Sequence, residues 1–399
     1  TPSGRAPKAP DADDNFAQPW TYSKERQVFA TFRGEFDLNE NVTTWAAAGL
    51  RRGDEKNRLA NPTASADGST SAYRFDNVRE DEVSTGEVGV RGKLKTGSVS
   101  HELVASANVF RMTSRNAYAF SDFAGFASDL YDPIEVTPPD ATFFVGGSLS
   151  SPHVTERINM RSFAVADTLG FMEDRLLVTL GARHQTLITR GYNYNSGARE
   201  SKYDESEVTP MAAVLFKLSP QVSLYANYAE ALVKGDTAPA GTVENPINNT
   251  GAMLAPYVSV QKEIGAKYDG GRFGGSLAWF TTDKPFSTVE NELFVEGGEQ
   301  RNRGLELTVF GQATERLRVL GGITLLDAKL RKTEGGAQDG NDAIGVPERQ
   351  LNVGLEWDVP GVPGLTLTGR AIHTSSQYID ENNNNKIPSW TRFDLGARY

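Results

Sequence analysis

Apolar and polar residues alternate with a period of two along most of the chain. In the first such segment the even positions are apolar or small and the odd positions are mostly polar: Val28, Ala30, Phe32, Gly34, Phe36 and Leu38 against Gln27, Thr31, Arg33, Glu35 and Asp37. Because successive side chains of a β-strand point to opposite faces, the pattern predicts a strand with one apolar face and one charged face. A second strand follows at 42–50, after turn residues 39–41, and the polar run 51–57 then predicts a long loop.

The same hairpin unit recurs to the end of the sequence. Further strand pairs are predicted at 81–95 and 99–112, 157–171 and 175–189, 206–218 and 222–233, 258–268 and 272–282, 299–312 and 316–330, and 349–359 and 364–379, with a last strand at 389–399. Short turns join the two strands of each pair, and long segments rich in Gly, Asn, Asp and Pro separate the pairs. These fifteen strands, with short turns at one end and long loops at the other, are typical of an outer-membrane barrel.

Two other fold classes fit the pattern less well. The strands of a soluble β-sandwich average about 5–6 residues, whereas the segments here are roughly twice as long. A helix would repeat its polar face about every 3.6 residues and not every second residue. We therefore predict an all-β fold, a transmembrane antiparallel β-barrel. Because fifteen is odd, the first and last strands run parallel, and we expect the chain by itself to leave an open side.

A bilayer determines which face of each strand points outward. The apolar face meets lipid, which places Leu305, Leu307 and Val309 outside and Glu306 and Thr308 toward the lumen. By the same parity the lumen receives Glu356, Asp358, Arg183, Lys267, Arg370, Asp394 and Arg398. Both signs of charge occur there, so we expect these groups to pair with one another. Aromatic residues near strand ends are predicted to form interfacial girdles: Phe36, Tyr225, Tyr268, Trp357 and Tyr399.

Composition excludes several classes of function. The 399 residues carry a net charge of -10, which argues against a nucleic-acid partner, and no apolar run is long enough for a transmembrane helix. The chain has no Cys, and its four histidines, His101, His153, His184 and His373, are scattered without ligand spacing. We therefore expect no enzyme activity and no cofactor bound by the chain itself. The opening residues show no signal-peptide pattern, so we expect a mature chain or a fragment.

Several runs go beyond alternation. They lie at 206–230 (SEVTPMAAVLFKLSPQVSLYANYAE), at 166–169 (ADTL) before 180–183 (LGAR), at 263–268 (EIGAKY), at 298–307 (GEQRNRGLEL) and at 387–399 (IPSWTRFDLGARY). In this order they resemble the TonB-dependent siderophore receptors of the bacterial outer membrane, and the resemblance covers roughly residues 20–399. It is specific to the family and not to a substrate.

The resemblance implies a domain organisation. Family members carry a plug domain and a barrel of about twenty-two strands. We expect this chain to be a partial barrel domain without the plug, in which residues 1–26 are the end of an extracellular loop and 27–399 are strands and loops.

The resemblance also implies a function, which is energy-coupled import of a ferric siderophore. The expected partners are the siderophore, TonB-ExbB-ExbD acting through the plug, and outer-membrane lipid including lipopolysaccharide, and the iron arrives as part of the ligand. Two alternatives stay open: a passive porin-like channel, and a structural or surface-binding barrel.

Ligand binding is expected on the long loops, which are rich in aromatic residues. The candidates are Trp20, Tyr22, Tyr73, Phe75, Tyr118, Phe120, Phe123, Tyr131, Tyr192 and Tyr194, since rigid amphipathic rings suit a bulky chelate. The long loop predicted at 113–156 also contains Asp122, Asp129, Asp132, Glu135 and Asp140, with Arg115 as its one basic residue. Such a loop should repel polyanions, which favours a neutral or cationic chelate of the hydroxamate type.

Overall fold

The structure is a computed structural model that describes residues 6–11 and 13–399. Its long strands are β1 (Tyr22–Asn39), β2 (Val42–Ala64), β3 (Ser69–Thr96), β4 (Val99–Phe120), β7 (Val154–Phe171), β8 (Leu176–Tyr192), β9 (Arg199–Lys217), β10 (Val222–Val233), β11 (Tyr257–Asp269), β12 (Phe273–Glu290), β13 (Leu293–Thr314), β14 (Leu317–Arg331), β15 (Arg349–Asp358), β16 (Thr366–Thr374) and β19 (Trp390–Arg398). Four short strands are β5 (Phe126–Asp129), β6 (Phe144–Gly146), β17 (Gln377–Tyr378) and β18 (Lys386–Ile387). The fifteen predicted strands are confirmed.

The helical structure within the described residues is a single 3-10 turn, Glu334–Gly336. No helix in this part of the chain is long and apolar enough to cross a membrane.

The chain divides into two compact units. The first comprises Thr1–Arg91, Val104–Ala164 and His184–Ser206, and the second comprises Gly92–Leu103, Val165–Arg183 and Glu207–Tyr399. In the first unit β1 pairs with β2, and in the second unit β19 pairs with β16. Among the residues that the structure describes, all registered pairs are antiparallel and the barrel is not closed, as the odd strand number predicts.

The first unit corrects two predictions about loops. Residues 113–120, predicted as the start of a long loop, belong to β4, which continues to Phe120. Residues 51–57 are not a loop, because β2 continues to Ala64 and pairs with β1 as far as Tyr22 opposite Arg58. β1 therefore begins five residues before the predicted strand start at Gln27. The physical reason is that both faces of a strand meet water beyond the bilayer. A polar run there does not end a strand whose backbone groups are still paired.

The second unit shows the predicted separation of faces. Leu277, Leu307 and Ile323 follow one another across β12, β13 and β14, whereas the next ladder contains Ser276 and Thr308. The apolar side chains are not collected into a core, since Leu305 and Leu307 are 38% and 40% exposed. In the described residues no large side chain is fully buried. An exposed apolar face of this extent is suited to lipid and not to water.

Charges on the opposite face pair with one another, as expected. The Arg318 guanidinium lies 2.8 Å from a carboxylate oxygen of Asp358 and 3.0 Å from one of Glu356, and Arg398 lies 3.8 Å from Glu356. Arg318 and Glu356 line a cavity of about 1450 Å³, together with Thr308 and Arg370. The polar face is thus the concave face of these strands.

The placement of Tyr225 in an interfacial girdle is wrong. Its hydroxyl donates to Glu263 at 2.6 Å, and the Lys267 ammonium lies 4.9 Å from its ring centroid. Both partners belong to the polar face. A tyrosine near a strand end fits the girdle pattern whether it faces lipid or the lumen. Only the cross-strand register shows which of these two faces it occupies.

Candidate ligand-binding site

An aromatic cluster forms at the long-loop end of the first unit. Its members are Tyr73, Phe75, Tyr118, Phe120, Phe123, Phe143, Phe144 and Tyr194. Phe120 is at its centre, with ring centroids 4.6 Å from Phe75, 5.4 Å from Phe123 and 5.5 Å from Tyr118. Tilted and edge-on contacts at these distances stabilise ring pairs beyond their area burial.

Two neighbouring strands supply the base of the cluster. Tyr73 and Phe75 are two residues apart on β3, and Tyr118 and Phe120 are two residues apart on β4, so each pair shares one strand face. Gly146 of β6 leaves the space that the Tyr118 ring occupies, since a Cβ there would lie 2.4 Å from that ring. The base is half-buried and closely packed.

Of the remaining rings, Phe123 and Phe143 come from the segment between β4 and β6, Phe144 begins β6, and Tyr194 follows β8. Phe123 packs edge-on against Tyr73 at 5.3 Å and against Phe143 at 5.6 Å. The outer rings are open to solvent: Phe123 is 49% exposed, Phe143 is 61% exposed and Phe144 is 51% exposed. The cluster therefore presents flat apolar surfaces, backed by packed rings, to anything that approaches from the loop side.

Six of the predicted candidates thus come together, namely Tyr73, Phe75, Tyr118, Phe120, Phe123 and Tyr194. Four of them lie on strands and not on loops, because β3 and β4 extend well past the apolar band. Phe143 and Phe144 were missed. Their one sequence signal is that two phenylalanines are adjacent in this segment.

Trp20 and Tyr131 lie outside the cluster. The Trp20 indole packs edge-on against Phe126 at 6.2 Å and donates its Nε1–H to the Val136 carbonyl at 3.0 Å. The Tyr131 hydroxyl donates to the Lys8 carbonyl at 2.8 Å. Both side chains hold loop segments in place.

Tyr22 and Tyr192 also lie apart from the cluster, and each is covered by a cation. The Arg58 guanidinium lies 5.6 Å from the Tyr22 ring centroid, and the Arg157 guanidinium lies 5.5 Å from that of Tyr192. These rings stabilise the strand ends that carry them.

The surroundings of the cluster are acidic. Asp122 accepts the Ala124 N–H at 2.9 Å, and Asp129 accepts the N–H groups of Tyr131 and Asp132 at 2.7 and 3.2 Å. Within the described residues no ion pair reaches these carboxylates. The nearby Arg74 is already paired with Asp76 at 2.5 Å, so its charge is offset locally.

A metal site is not part of this arrangement. Across residues 6–11 and 13–399, no three His, Asp or Glu side chains are grouped so that they could hold a metal ion. What the cluster can do chemically is to stack on, and exclude water from, an amphipathic ligand.

Comparison with known proteins identifies the family. The family model described as TonB dependent receptor-like, beta-barrel, matches residues 2–399. The ferrichrome receptor FcuA of Yersinia enterocolitica is 35% identical over 400 residues, which cover 98% of this chain and 52% of the relative. The ferrichrome outer membrane transporter/phage receptor of Escherichia coli K12 is 26% identical over 321 residues, covering 78% and 41% of the two chains.

Comparison with a solved structure supports the same family. The crystal structure of BauA, the ferric preacinetobactin receptor from Acinetobacter baumannii, superposes with a TM-score of 0.87 at 33% identity and covers 98% of this chain and 58% of that one. The chain spans about half the length of the curated relatives that it matches. The chain therefore belongs to the TonB-dependent receptor family of outer-membrane β-barrels.

Proposed function

We propose that the protein containing this chain takes up a ferric siderophore through the outer membrane, with energy supplied by TonB-ExbB-ExbD. The observation that carries the proposal is the solvent-open aromatic cluster at the long-loop end of a receptor barrel wall. The similar proteins are named a ferrichrome receptor, a ferric preacinetobactin receptor and a probable TonB-dependent siderophore receptor, which supports the same class of ligand here.

The cluster would capture the chelate and not the iron. Phe123, Phe143 and Phe144 would stack on the ligand's outer surface, while the siderophore itself keeps the metal coordinated. Because no covalent bond changes, the protein's task is to bind tightly at the surface and to release inward. TonB-ExbB-ExbD would drive that release through the plug domain that family members carry.

The outer-leaflet lipid is a second proposed partner. Directly above the apolar rows of β1 and β2, where Phe32 is 68% exposed, Lys24 lies opposite Lys56 and Arg26 lies opposite Asp54 on the same strand face. Like charges placed opposite each other are unfavourable unless an anion lies between them. We therefore propose that this strip contacts lipopolysaccharide phosphates.

Copurification tests the lipid contact. Lys24→Glu combined with Lys56→Glu should lower the lipopolysaccharide that copurifies with the receptor. Lys95→Glu, at the short-turn end of β3, is the matched control. Equal lipopolysaccharide content in both variants would contradict the contact.

Ligand binding tests the main proposal. In the complete gene product, Phe123→Ala and Phe144→Ala should each weaken binding of ferrichrome, the chelate named for the Yersinia relative, on the order of tenfold, or about 1.4 kcal/mol. Phe16→Ala is the control, because Phe16 is 45% exposed but lies outside the cluster. Equal losses in all three variants would contradict a binding role for the cluster.

Uptake of radiolabelled iron separates import from the alternatives. Uptake that requires TonB supports energy-coupled import. Uptake that persists without TonB and does not saturate supports a passive channel, and the absence of uptake supports a surface-binding barrel.

A further inference from the structure

We propose that Gln18 is a positioning residue for the aromatic cluster, because its side chain fixes the middle of the loop that carries the exposed rings. This inference rests on the proposed function for its consequence in ligand binding. Its structural part can be tested without any ligand.

The Gln18 amide is buried, with 4% of the residue exposed, and both of its polar atoms are used. Its Nε2–H donates to the Ile134 carbonyl at 2.8 Å, and its Oε1 accepts the Val136 N–H at 3.0 Å. The Gln18 amide thus contributes one donor and one acceptor to two alternate residues of the loop. The backbone of a neighbouring strand would make the same pair of hydrogen bonds. The side chain therefore substitutes for a strand partner.

The neighbouring residues strengthen this contact. Trp20 donates to the Val136 carbonyl, so both backbone groups of Val136 are satisfied from the segment that precedes β1. The backbone at Gln18 is itself held in a turn, because its carbonyl accepts the Thr21 N–H at 3.0 Å and the Thr21 hydroxyl at 2.7 Å. The donor and acceptor of Gln18 are thus presented in a fixed direction.

Prolines limit the backbone hydrogen bonds that this loop can make with itself. Residues 131–140 read YDPIEVTPPD, and the prolines at 133, 138 and 139 have no N–H to donate. Other attachments of this stretch lie on either side of it. The Tyr131 hydroxyl donates to the Lys8 carbonyl at 2.8 Å, the Ser128 Oγ accepts the Ile134 N–H at 3.0 Å and lies 3.4 Å from the Ile134 carbonyl oxygen, and Arg74 donates to the Pro139 carbonyl at 2.9 Å. Gln18 and Trp20 hold the stretch between the Ser128 and Arg74 contacts.

The exposed rings lie on either side of this stretch. Phe123 precedes it and Phe143 and Phe144 follow it, so a loosened middle allows the two sides of the loop to move independently. A ligand that stacks on these rings must then order the loop as it binds. Rigidity of the unbound loop improves affinity because that ordering has already taken place.

Amide hydrogen exchange of the complete gene product tests the structural part. Gln18→Met keeps the length of the side chain but leaves the Val136 N–H without its partner and the Ile134 carbonyl with only the longer contact from the Ser128 hydroxyl. Exchange at residues 130–140 should rise about tenfold or more, while the β10–β14 strands keep wild-type protection. Wild-type exchange in the loop of Gln18→Met would overturn the proposal.

Gln18→Glu supplies a rescue that a general packing role would not show. A protonated carboxyl offers one donor and one acceptor, as the amide does, whereas a carboxylate offers acceptors only and faces the Ile134 carbonyl. Burial and the nearby Asp129, which lines the same small cavity, both favour the protonated form. Relative to wild type at each pH, exchange in Gln18→Glu should be fast at high pH and approach wild type at low pH. A ratio independent of pH would overturn the proposal.

The ligand experiment separates this inference from the proposed function. Gln18→Met should raise the ferrichrome dissociation rate about tenfold through loss of loop order. If the wild-type protein binds no ferrichrome, the choice of ligand fails while the exchange results still decide the role of Gln18. If the wild type binds and the variant releases ligand at the same rate, the positioning role fails.

Discussion

The Tyr225 ring lies across Gly265, its direct partner in the register of β10 and β11. A Cβ at position 265 would come within 2.6 Å of that ring and 2.7 Å of the Leu277 carbonyl oxygen. The same arrangement recurs where Trp45 covers Gly89, Phe286 covers Gly298 and Phe280 covers Gly304. Aromatic rings laid over strand glycines compensate for the side chain that glycine lacks, and they pin the register.

Gly265→Ala should therefore destabilise the sheet by about 1–3 kcal/mol, because one of the clashing atoms belongs to the backbone and cannot rotate away. Denaturant unfolding in detergent micelles, followed by tryptophan fluorescence, measures the change. Gly92→Ala is the control, since a Cβ there would meet no atom within 4 Å. Similar losses in both variants would show that clashes at Gly265 do not determine the effect.

The lipid-facing assignment predicts a difference between adjacent positions. Leu307 lies opposite Leu277 on the apolar face, and Thr308 lies opposite Ser276 on the polar face. Leu307→Arg should reduce the free energy of unfolding from liposomes by about 2–4 kcal/mol near the bilayer midplane, and Thr308→Arg should have a small effect. A larger loss for Thr308→Arg would reverse the assignment of faces.

The acidic loop predicts the charge of the preferred ligand. Asp122 adjoins Phe123 of the aromatic cluster, Asp129 and Asp132 follow in the same segment between β4 and β6, and together they should repel an approaching polyanion. A neutral ferric hydroxamate should therefore bind more tightly than a triply charged ferric catecholate. Competition binding at low and high salt measures the difference in affinity between the two chelates. This difference should decrease at high salt, because salt screens the repulsion. Tighter binding of the catecholate at low salt would contradict the prediction.

The loop between β17 and β18 should respond to acid. Backbone N–H groups of Asn384 and Asn385 donate to the Asp380 carboxylate at 3.0 and 2.7 Å, and they hold the pKa of that carboxyl below its ordinary 3.8. Because the folded-state pKa is depressed, the stabilisation is present above the ordinary value and is lost as the pH falls through the lowered one.

NMR shifts of the Asn384 and Asn385 amides during a pH titration should show this transition. In Asp380→Asn the acid-linked shift should disappear. A midpoint at or above the ordinary aspartate range in the unsubstituted protein would mean that these hydrogen bonds do not favour the carboxylate.

Local alternation was sufficient to predict the strands and their faces. Leu305 and Leu307 alternate with Glu306 and Thr308, and a period of two requires no knowledge of neighbouring strands. The short turns and the count of fifteen strands could be predicted for the same reason, because the two strands and the turn of each hairpin are contiguous in the sequence. The acidic, cysteine-free composition likewise excluded whole classes of site without any coordinates.

Tertiary structure alone decided what happens beyond the apolar band. Residues 51–57 stay in β2 because β1 pairs with them. Phe144 joins Phe120 through folding of the loop between them. The physical reason is that water on both sides removes the alternation that a bilayer imposes. Position is then set by pairing and packing between residues that are distant in sequence.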